Sequence, residues 1–228
     1  MQKIPDKSID MILCDLPYGT TQNKWDSVLP LNKIWENYER IIKDNGCIAL
    51  FSQTPFDKVL GCSNLKLLKY EWIYKKSRPT GHLNAKKMPM KEHENVLIFY
   101  KKQPIYNYDL YLTDLEKPIV RNSKWRTNNG NYGNMDKDTI QTKTGYLRDI
   151  IEFLSVGTRK NLHPTQKPIE ICEFLISVYS NESDLILDNT AGVMTTGLAA
   201  ENLHRRWINI ELDEKYCELG KDRFLRMA

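Results

Sequence analysis

The sequence lacks a long apolar segment, paired cysteines and clustered histidines, and each absence narrows the class of protein. None of its apolar runs approaches the roughly 18 residues that a membrane-spanning helix needs, and no secretory segment follows the polar first residues. The five cysteines are scattered without a Cys-X-X-Cys pair, and the four histidines lack the spacing of a zinc site. We therefore expect reduced thiols, no metal, no membrane partner and a cytoplasmic protein.

The composition is otherwise ordinary for a globular protein. Hydrophobic residues make up 41% and charged residues 27% of the 228 positions. This length suffices for one α/β domain with a smaller insertion, but not for two large domains. The formal net charge of +4 is too small to indicate a nucleic-acid partner by itself. The distribution of the positive charge along the chain therefore matters more than its total.

The segment Asp15-Leu16-Pro17-Tyr18-Gly19 is the first candidate for a functional site. It follows an apolar run at residues 9–13, and such a run is typical of a buried strand that ends at the carboxyl edge of a sheet, where open α/β sheets bind ligands. A carboxylate beside an aromatic ring, both held by a proline turn, suits a planar group that is hydrogen-bonded along one edge and stacked on one face. The alternative is a strand-to-loop turn with a capping aspartate.

Apolar periodicity predicts alternating strands and helices on both sides of a polar central region. Residues 31–43 have helical spacing, and Asp44-Asn45-Gly46 should end this helix as a C-cap. Strands at residues 9–13 and 47–51 flank this helix, so the three form a βαβ unit with a parallel strand pair. Pro55 should occupy the first position of the next helix. Further strands are expected at residues 67–74, 95–100, 185–187 and 207–210, and further helices at residues 169–179, 198–203 and 214–225.

Two stretches, residues 75–91 and 106–160, carry an excess of basic residues among prolines, amides and aromatic rings. Basic residues mixed with aromatics and amides provide the chemistry of phosphate contact, base stacking and hydrogen bonding to base edges. The alternative is a solvated, loop-rich insertion. The candidate nucleic-acid contacts are Lys75, Arg78, Lys86, Lys87, Arg121, Lys124 and Arg126.

A second candidate site begins at Asp188, directly after a short apolar run. A strand that ends in an acid, followed by a turn of small residues and a helix, is typical of a nucleotide pocket, and Glu211 has the spacing of a ribose ligand. A dinucleotide would need Gly-X-Gly-X-X-Gly in the turn, whereas only Gly192 and Gly197 are present. Asp188 would attract an ammonium group and repel phosphate. A nucleoside with a cationic end, such as S-adenosylmethionine, therefore fits better.

Three motifs together resemble those of the DNA amino-methyltransferases of the circularly permuted (beta) class, in which the catalytic motif precedes the cofactor motif. Asp15-Leu16-Pro17-Tyr18 is similar to Asp-Pro-Pro-Tyr, with Leu16 in place of the first proline. His163-Pro164-Thr165-Gln166-Lys167-Pro168 matches the family's segment before the helix that flanks the cofactor. The run from Asp188 to Thr196 resembles the cofactor loop Asp-Pro-Phe-X-Gly-Ser-Gly-Thr-Thr.

The resemblance implies an α/β fold of the Rossmann-like, S-adenosylmethionine-dependent methyltransferase type. This fold is circularly permuted, with a mostly parallel sheet, helices on both faces and a loop-rich target-recognition insertion. It implies one domain with a catalytic half at residues 1–105, the insertion at residues 106–160, and a cofactor-binding half at residues 161–228.

The resemblance also implies a function, the transfer of a methyl group from S-adenosylmethionine to the N6 amino group of an adenine flipped out of double-stranded DNA. Asp15 and the carbonyl of Leu16 would accept the two amino hydrogens, while Pro17 stiffens the turn and Tyr18 stacks on the base. Such an enzyme acts in the cytoplasm of a bacterial or phage-infected cell, and a homodimer is one assembly that it could adopt. The residues implied at the cofactor are Asp188, Asn189, Ala191, Gly192, Thr195, Thr196, Glu211, His163, Thr165 and Lys167.

Two features depart from the family pattern. Val193 and Met194 stand where the family has Ser and Gly, and a methionine reaches positive φ only with strain. We therefore expect either a different backbone path in this loop or weaker cofactor binding. The family also carries a further strand before the segment at residues 5–9, with an acid near the adenine of the cofactor, and this sequence begins too late to include it.

Three alternatives remain open. N4-cytosine methylation is one, because adenine and cytosine both present an amino group beside a ring nitrogen, although Asp15 favours adenine since the cytosine enzymes often carry Ser there. A weakly active or inactive DNA-binding relative is another, and cofactor affinity would identify it. A nicotinamide oxidoreductase is the third alternative. It is disfavoured because the glycines of a dinucleotide site are missing and because such an enzyme would have no role for the turn at Asp15.

Overall fold

The computed structural model describes residues 1–20, 26–121, 138–154, 162 and 166–226. Within these residues, no helix is long and apolar enough to cross a membrane. No group of His, Cys, Asp and Glu side chains in the same part of the chain could hold a metal ion. The elements in chain order are β1 (Ile9–Asp15), α1 (Leu31–Ile41), β2 (Ile42–Ser52), α2 (Phe56–Ser63), β3 (Leu68–Thr80), a 3-10 helix (His82–Asn84), β4 (Lys91–Phe99), β5 (Thr113–Arg121), β6 (Thr139–Thr144), β7 (Ile150–Phe153), α3 (Ile169–Tyr179), β8 (Leu185–Asp188), α4 (Thr195–Asn202), β9 (Arg206–Asn209) and α5 (Glu214–Leu225).

A seven-stranded sheet in the order β7-β3-β4-β2-β1-β8-β9 organises the fold. Four neighbouring pairs are parallel and two, β2 with β4 and β3 with β4, are antiparallel, so the predicted mostly parallel sheet is confirmed. β1 lies between β2 and β8, and its side chains are fully buried from Met11 to Cys14. A continuous apolar run without alternation is typical of a strand covered on both faces. After this buried run, Asp15 is the first charged residue of the strand.

Two helix boundaries differ from the prediction. α1 ends at Ile41, and the predicted C-cap at Asp44-Asn45-Gly46 is wrong because these residues lie inside β2, where its register with β1 shifts. Gly46 instead permits a close approach of two strands, since a Cβ at this position would lie 2.8 Å from the carbonyl oxygen of Asp10. Pro55 is the residue before α2 and not its first residue. By contrast, α3 and α5 have the predicted bounds.

The basic stretch at residues 75–91 belongs to a hairpin that the sequence pattern did not reveal. β3 continues to Thr80 and β4 begins at Lys91, so both strands extend beyond their predicted ranges, and they pair antiparallel. β7 pairs in parallel with β3, although its residues fell within the predicted insertion. This strand was not predicted because it has only four residues and none of them is fully buried.

The chain divides into two compact units. One unit, Met1–Asn107 with Asp149–Ala228, contains the seven-stranded sheet. The other, Tyr108–Arg148, contains the antiparallel pair of β5 and β6, and the rings of Tyr108 and Tyr146 stack there with their centroids 6.3 Å apart. The division at residues 1–105, 106–160 and 161–228 stays a prediction.

Candidate active site

The carboxyl ends of β1 and β8 lie side by side and carry the acids of the two predicted motifs. β1 ends at Asp15 and β8 ends at Asp188, and the two strands pair in parallel. The motifs are in direct contact, because the Thr190 hydroxyl donates a 3.1 Å hydrogen bond to the backbone carbonyl of Asp15. The sheet therefore brings together two segments that lie far apart in the sequence.

A glycine and a buried acid fix the turn that follows Asp15. Gly19 has a φ of 68°, in the left-handed region that favours glycine. Asp26 is 8% exposed and accepts hydrogen bonds from the backbone N–H groups of Gly19 at 2.8 Å and Thr20 at 3.0 Å. These contacts close the turn behind Tyr18 and limit where its ring can point.

Tyr18 is hydrogen-bonded to Asp15, the acid of the same motif. Its hydroxyl donates a 2.6 Å hydrogen bond to Oδ1 of Asp15, and its ring stacks on Phe56 with the centroids 5.4 Å apart and the planes inclined by 25°. Burial and the negative charge of Asp15 raise the pKa of the phenol well above its usual value. The hydroxyl thus stays protonated and keeps donating to the carboxylate.

Lys167 holds the other oxygen of Asp15. Its ammonium Nζ lies 2.6 Å from Oδ2 of Asp15 and 3.1 Å from Oε2 of Glu94, whose Oε1 is 2.5 Å from Nζ of Lys76. The side chains of Lys167, Glu94 and Lys76 are only 12%, 11% and 13% exposed. Four alternating charges therefore run from the β3–β4 hairpin to the end of β1. We call Asp15, Lys167, Glu94 and Lys76 the charge chain.

The members of the charge chain keep one another ionised. Burial raises the pKa of Glu94, but the opposing effect of Lys167 and Lys76 is larger, and its pKa lies below the ordinary value. Burial lowers the pKa of Lys167, but the carboxylates of Asp15 and Glu94 together raise it by more, so the net shift is upward. Both groups are therefore charged at neutral pH. In the structure the ammonium of Lys167 contacts two carboxylates, and its assignment to the cofactor pocket stays a prediction.

The loop after β8 carries the second pair of acids. Asp188 is 5% exposed and accepts a 3.0 Å hydrogen bond from the backbone N–H of Thr190. Burial raises its pKa to about 6, even though hydrogen bonds from Thr190 and Thr196 act in the opposite direction. Glu211 lies just beyond β9, and its Oε2 accepts a 2.7 Å hydrogen bond from the backbone N–H of Gly192. The sheet thus brings Glu211 to the loop, and its assignment to the ribose stays a prediction.

Met194, which stands where the family pattern has a glycine, lies in the left-handed conformation that favours glycine. Its φ and ψ are 63° and 35°, and Gly192 has a φ of 49°. Met194 immediately precedes α4, and its carbonyl accepts the N–H of Leu198 within the first turn of that helix. A residue with a Cβ is strained in this conformation. Whether the loop follows a different backbone path or binds the cofactor more weakly stays a prediction.

The other predicted cofactor residues of this loop have buried or partly buried side chains. The Oδ1 atom of Asn189 accepts hydrogen bonds from the Tyr38 hydroxyl and the Cys14 thiol, beneath the sheet edge. The Thr195 hydroxyl accepts a 3.0 Å hydrogen bond from Arg223. Any ligand in this loop would therefore meet mainly backbone atoms. Besides Asp188, the predicted residues of this loop that are less than a tenth exposed are Ala191, Thr195 and Thr196.

The predicted nucleic-acid contacts fall into two groups. Lys75, Arg78, Lys86 and Lys87 lie on the β3–β4 hairpin or its connection, where Lys75 pairs with Glu152 at 3.3 Å and the other three are exposed. No acidic residue occurs between Glu71 and Glu92 in the sequence. The predicted residues His163, Thr165, Lys124 and Arg126, and the side chain of Arg121, lie outside the described part of the chain.

Sequence reasoning missed Glu94, Phe56 and Asp26. In the sequence, Glu94 was recognisable only as a charged residue two positions before the apolar run of β4. An acid that is buried in such a place needs a cationic partner. Phe56 and Asp26 carried no sequence signal that distinguishes them from ordinary core and loop residues. All three are identified by contacts with Asp15, Lys167, Tyr18 or Gly19.

Comparisons with known proteins identify relatives of this chain and solved structures with a similar fold. DNA adenine methyltransferase YhdJ of Escherichia coli K12 is 28% identical over 235 residues, which cover 96% of this chain and 77% of that protein. A complex of M1.HpyAVI with S-adenosylmethionine is 24% identical with a TM-score of 0.65, covering 98% of this chain and 90% of that one. The cytosine-N4-specific PvuII DNA methyltransferase is 14% identical with a TM-score of 0.67, covering 98% and 82%. The predicted Rossmann-like methyltransferase fold is confirmed.

Family membership follows from a match that spans almost the whole chain. Residues 9–222 match the family of N6 and N4 methyltransferases that is described as DNA methylase. The matched range includes both acid-bearing strand ends, the charge chain and the loop after β8. The chain therefore belongs to the N6/N4 DNA methyltransferase family.

Proposed function

We propose that this protein transfers a methyl group from S-adenosylmethionine to the N6 amino group of an adenine flipped out of double-stranded DNA. The observation that carries the proposal is the pairing of a fixed Asp15 carboxylate with the Asp188 loop on one sheet edge, joined by the Thr190 hydrogen bond. The E. coli relative, which is named a DNA adenine methyltransferase, supports adenine as the target.

The donors and acceptors of the loop suit the cofactor. Asp188 and Glu211 offer carboxylates, and residues 188–203 contain no Lys or Arg that would favour a phosphate. Asp188 is positioned to attract the ammonium group of the methionine end, and Glu211 the ribose hydroxyls. When bound, S-adenosylmethionine supplies an electrophilic methyl group on a positively charged sulfur.

Asp15 and the carbonyl of Leu16 accept the two hydrogens of the target amino group. The adenine nitrogen is a poor nucleophile because its lone pair is delocalised into the ring, and two acceptors at its hydrogens make the nitrogen more tetrahedral. Each oxygen of a carboxylate accepts more than one hydrogen bond. Asp15 can therefore bind the base while it keeps its contacts with the Tyr18 hydroxyl and the Lys167 ammonium. Those two donors fix the plane of the carboxylate before the base arrives, and positioning of this kind is a large part of catalysis. The side chain of Leu16 is 2% exposed, so only its backbone serves the reaction.

Tyr18 provides a stacking surface for the flipped base. Its ring is already supported by Phe56, at 5.4 Å between centroids, and an aromatic ring held in place costs less entropy when a base stacks on it. After transfer, the positively charged methylated nitrogen releases one proton to solvent water, and Asp15 acts as an ionised hydrogen-bond acceptor throughout.

The β3–β4 hairpin is the proposed surface for the DNA backbone. Arg78, Lys86 and Lys87 are exposed, and no acid lies between residues 71 and 92 to compete with phosphate. The hairpin also carries Lys76 and Glu94 of the charge chain, so the strands that hold the surface cations reach the catalytic acid. The place of action is the cytoplasm of a bacterial or phage-infected cell, and homodimerisation stays a prediction.

Sequencing of DNA with detection of modified bases tests the proposal. The chain is expressed in a host that lacks DNA methylation, and an Asp15→Ala variant is the matched control. We expect N6-methyladenine at one short recognition sequence with the wild type and none with the variant. The same experiment addresses N4-cytosine methylation, which the acceptor pair at Asp15 and Leu16 fits because cytosine also carries an amino group beside a ring nitrogen. N4-methylcytosine would replace the adenine assignment, and no modified base together with no cofactor binding would overturn the enzyme proposal.

A further inference from the structure

The last helix of the chain packs directly on the loop after β8. A Cβ atom added to Gly220 of α5 would lie 2.6 Å from Cγ and 2.7 Å from Sδ of Met194, so the methionine side chain occupies the space that a larger residue would need. Met194 is 8% exposed. The ring of Phe224 stacks on Trp207 of β9, with the centroids 4.5 Å apart, and this contact attaches α5 to the sheet. The loop therefore rests on a fixed helix.

A half-buried arginine on the same face of α5 donates hydrogen bonds to the residues on both sides of Met194. Arg223 lies three residues after Gly220, a spacing that places two residues on one face of a helix. Its Nη1 donates a 2.6 Å hydrogen bond to the carbonyl of Val193 and a 3.0 Å hydrogen bond to the hydroxyl of Thr195. Burial lowers the pKa of the guanidinium, so its charge is kept at a cost that these hydrogen bonds offset.

The conformation of Met194 explains why such support is needed. A residue with a Cβ is strained at a φ of 63°, whereas glycine reaches this region freely. Strained residues persist where their surroundings over-determine them. Here the surroundings are Arg223 on the two flanking residues and Gly220 beneath the side chain. On the other side of the loop, Glu211 holds the N–H of Gly192.

We propose that Arg223 and Gly220 are positioning residues that hold Met194 in its left-handed conformation and thereby set the affinity for S-adenosylmethionine. This inference rests on the proposed function for the identity of the ligand. Neither residue contacts the methyl donor in this scheme, because both act through the backbone of the loop. In this chain, contacts from α5 stabilise at position 194 a conformation that a glycine would adopt without strain.

Calorimetric titration of S-adenosylmethionine into the full-length protein tests the proposal. Arg223→Ala should raise the dissociation constant about tenfold, the effect of losing hydrogen bonds from a charged donor. It should raise the KM for the cofactor similarly and leave kcat and DNA affinity within about twofold, because the loss concerns only cofactor binding. The matched control is Arg226→Ala, an exposed arginine at the end of the same helix, which should leave the dissociation constant unchanged.

Rescue by a second substitution separates positioning from general damage. Met194→Gly in the Arg223→Ala background should recover most of the lost affinity, because glycine needs no support at this φ. Gly220→Ala should also weaken binding, although alanine favours the helix itself, and Met194→Gly should correct this defect by removing the obstructing side chain. Affinities unchanged in Arg223→Ala and Gly220→Ala, or lost affinity that Met194→Gly does not recover, would overturn the proposal.

Hydrogen exchange of the cofactor-free protein gives a readout that does not depend on the proposed function. Amides of residues 192–196 should exchange faster in Arg223→Ala than in the wild type and in Arg226→Ala. Unchanged exchange in this segment would refute the positioning role. A wild-type protein that binds no S-adenosylmethionine but shows this exchange pattern would overturn the proposed function and the affinity role, while the support of the loop by α5 would stand.

Discussion

Substitution of Lys167 by methionine is the sharpest perturbation of the catalytic end of β1. Methionine keeps the length and apolar volume of lysine but removes the ammonium group that contacts Asp15 at 2.6 Å and Glu94 at 3.1 Å. Glu94 then retains only Lys76 from the charge chain, and among the described contacts Asp15 retains the Tyr18 hydroxyl. Removing one partner from a buried ion pair costs about 3–5 kcal/mol, because the remaining charge loses its compensation.

A surface pair provides the comparison. Lys43 contacts Asp10 at the same distance of 2.6 Å, but its side chain is 40% exposed, against 12% for Lys167. A partly exposed pair contributes about 0–1 kcal/mol, so Lys43→Met should be nearly neutral. For a chain of this size each kcal/mol shifts Tm by about 2–4 °C, and Lys167→Met should therefore lower Tm by about 6–20 °C and Lys43→Met by less than about 4 °C.

The pH dependence of this difference follows from the signs of the two pKa shifts. The pKa of Glu94 is lowered, so its contribution to stability is present above its ordinary value near 4.5 and is lost as the pH falls below it. The pKa of Lys167 is raised, so its contribution is present below its ordinary value near 10.5 and is lost as the pH rises above it. Between these limits, the difference in stability between the wild type and Lys167→Met should be constant.

Thermal unfolding and methyl transfer are the two assays. We expect kcat to fall roughly 100-fold in Lys167→Met, since a displacement of about 1 Å at a reacting group has that effect. S-adenosylmethionine affinity should change much less, because Lys167 contacts carboxylates outside the Asp188 loop. Equal Tm values for Lys167→Met and Lys43→Met, or an unchanged kcat, would refute the role assigned to the charge chain. Lys167→Arg keeps the charge and should recover part of the stability.

Three further predictions concern the other parts of the site. The affinity for S-adenosylmethionine should fall as the pH drops through about 6, where the buried Asp188 is protonated, and Asp188→Asn should bind weakly with a flat pH profile in calorimetry. Methyl transfer by Tyr18→Phe should fall by about threefold to tenfold, since the hydrogen bond to Asp15 is lost, and that of Tyr18→Ala should fall further because the stacking surface is also lost. DNA affinity, followed by fluorescence anisotropy, should decrease with salt, and the slope should become shallower by about 2 in Lys86→Ala/Lys87→Ala.

Each of these three predictions has a result that would contradict it, and the salt dependence also has a control variant. If the pH dependence of S-adenosylmethionine affinity were the same in Asp188→Asn as in the wild type, Asp188 would not be the acid that binds the cofactor. Equal activities of the Phe and Ala variants at position 18 would exclude stacking as the role of Tyr18. For the salt slope, Lys221→Ala is the control, because this exposed lysine of α5 pairs with Glu218 on its own helix. The same change in slope for this variant would mean that the hairpin is not the DNA surface.

Much of the architecture was predictable because its signals are local. The bounds of α3 and α5 agree with their apolar periodicity, and β8 ends at Asp188 as its short apolar run indicated. Helical spacing and buried-strand composition depend on near neighbours in the chain, so the chain itself displays them. The C-cap assigned to Asp44-Asn45-Gly46 failed because a bulge within a strand and a helix end favour the same residue types.

The sequence alone placed an acid at the end of β1, a second acid at the end of β8 and a small-residue turn between β8 and α4. Together with the motif at residues 163–168, the residue patterns around these features indicated the family. The sequence did not indicate that Lys167 holds Asp15, that Glu94 joins the two lysines, or that α5 supports Met194. Those contacts join residues from separate segments. Which of them meet depends on the order of strands in the sheet and on the face where each helix packs, and both are fixed only when the whole chain buries its apolar surface together.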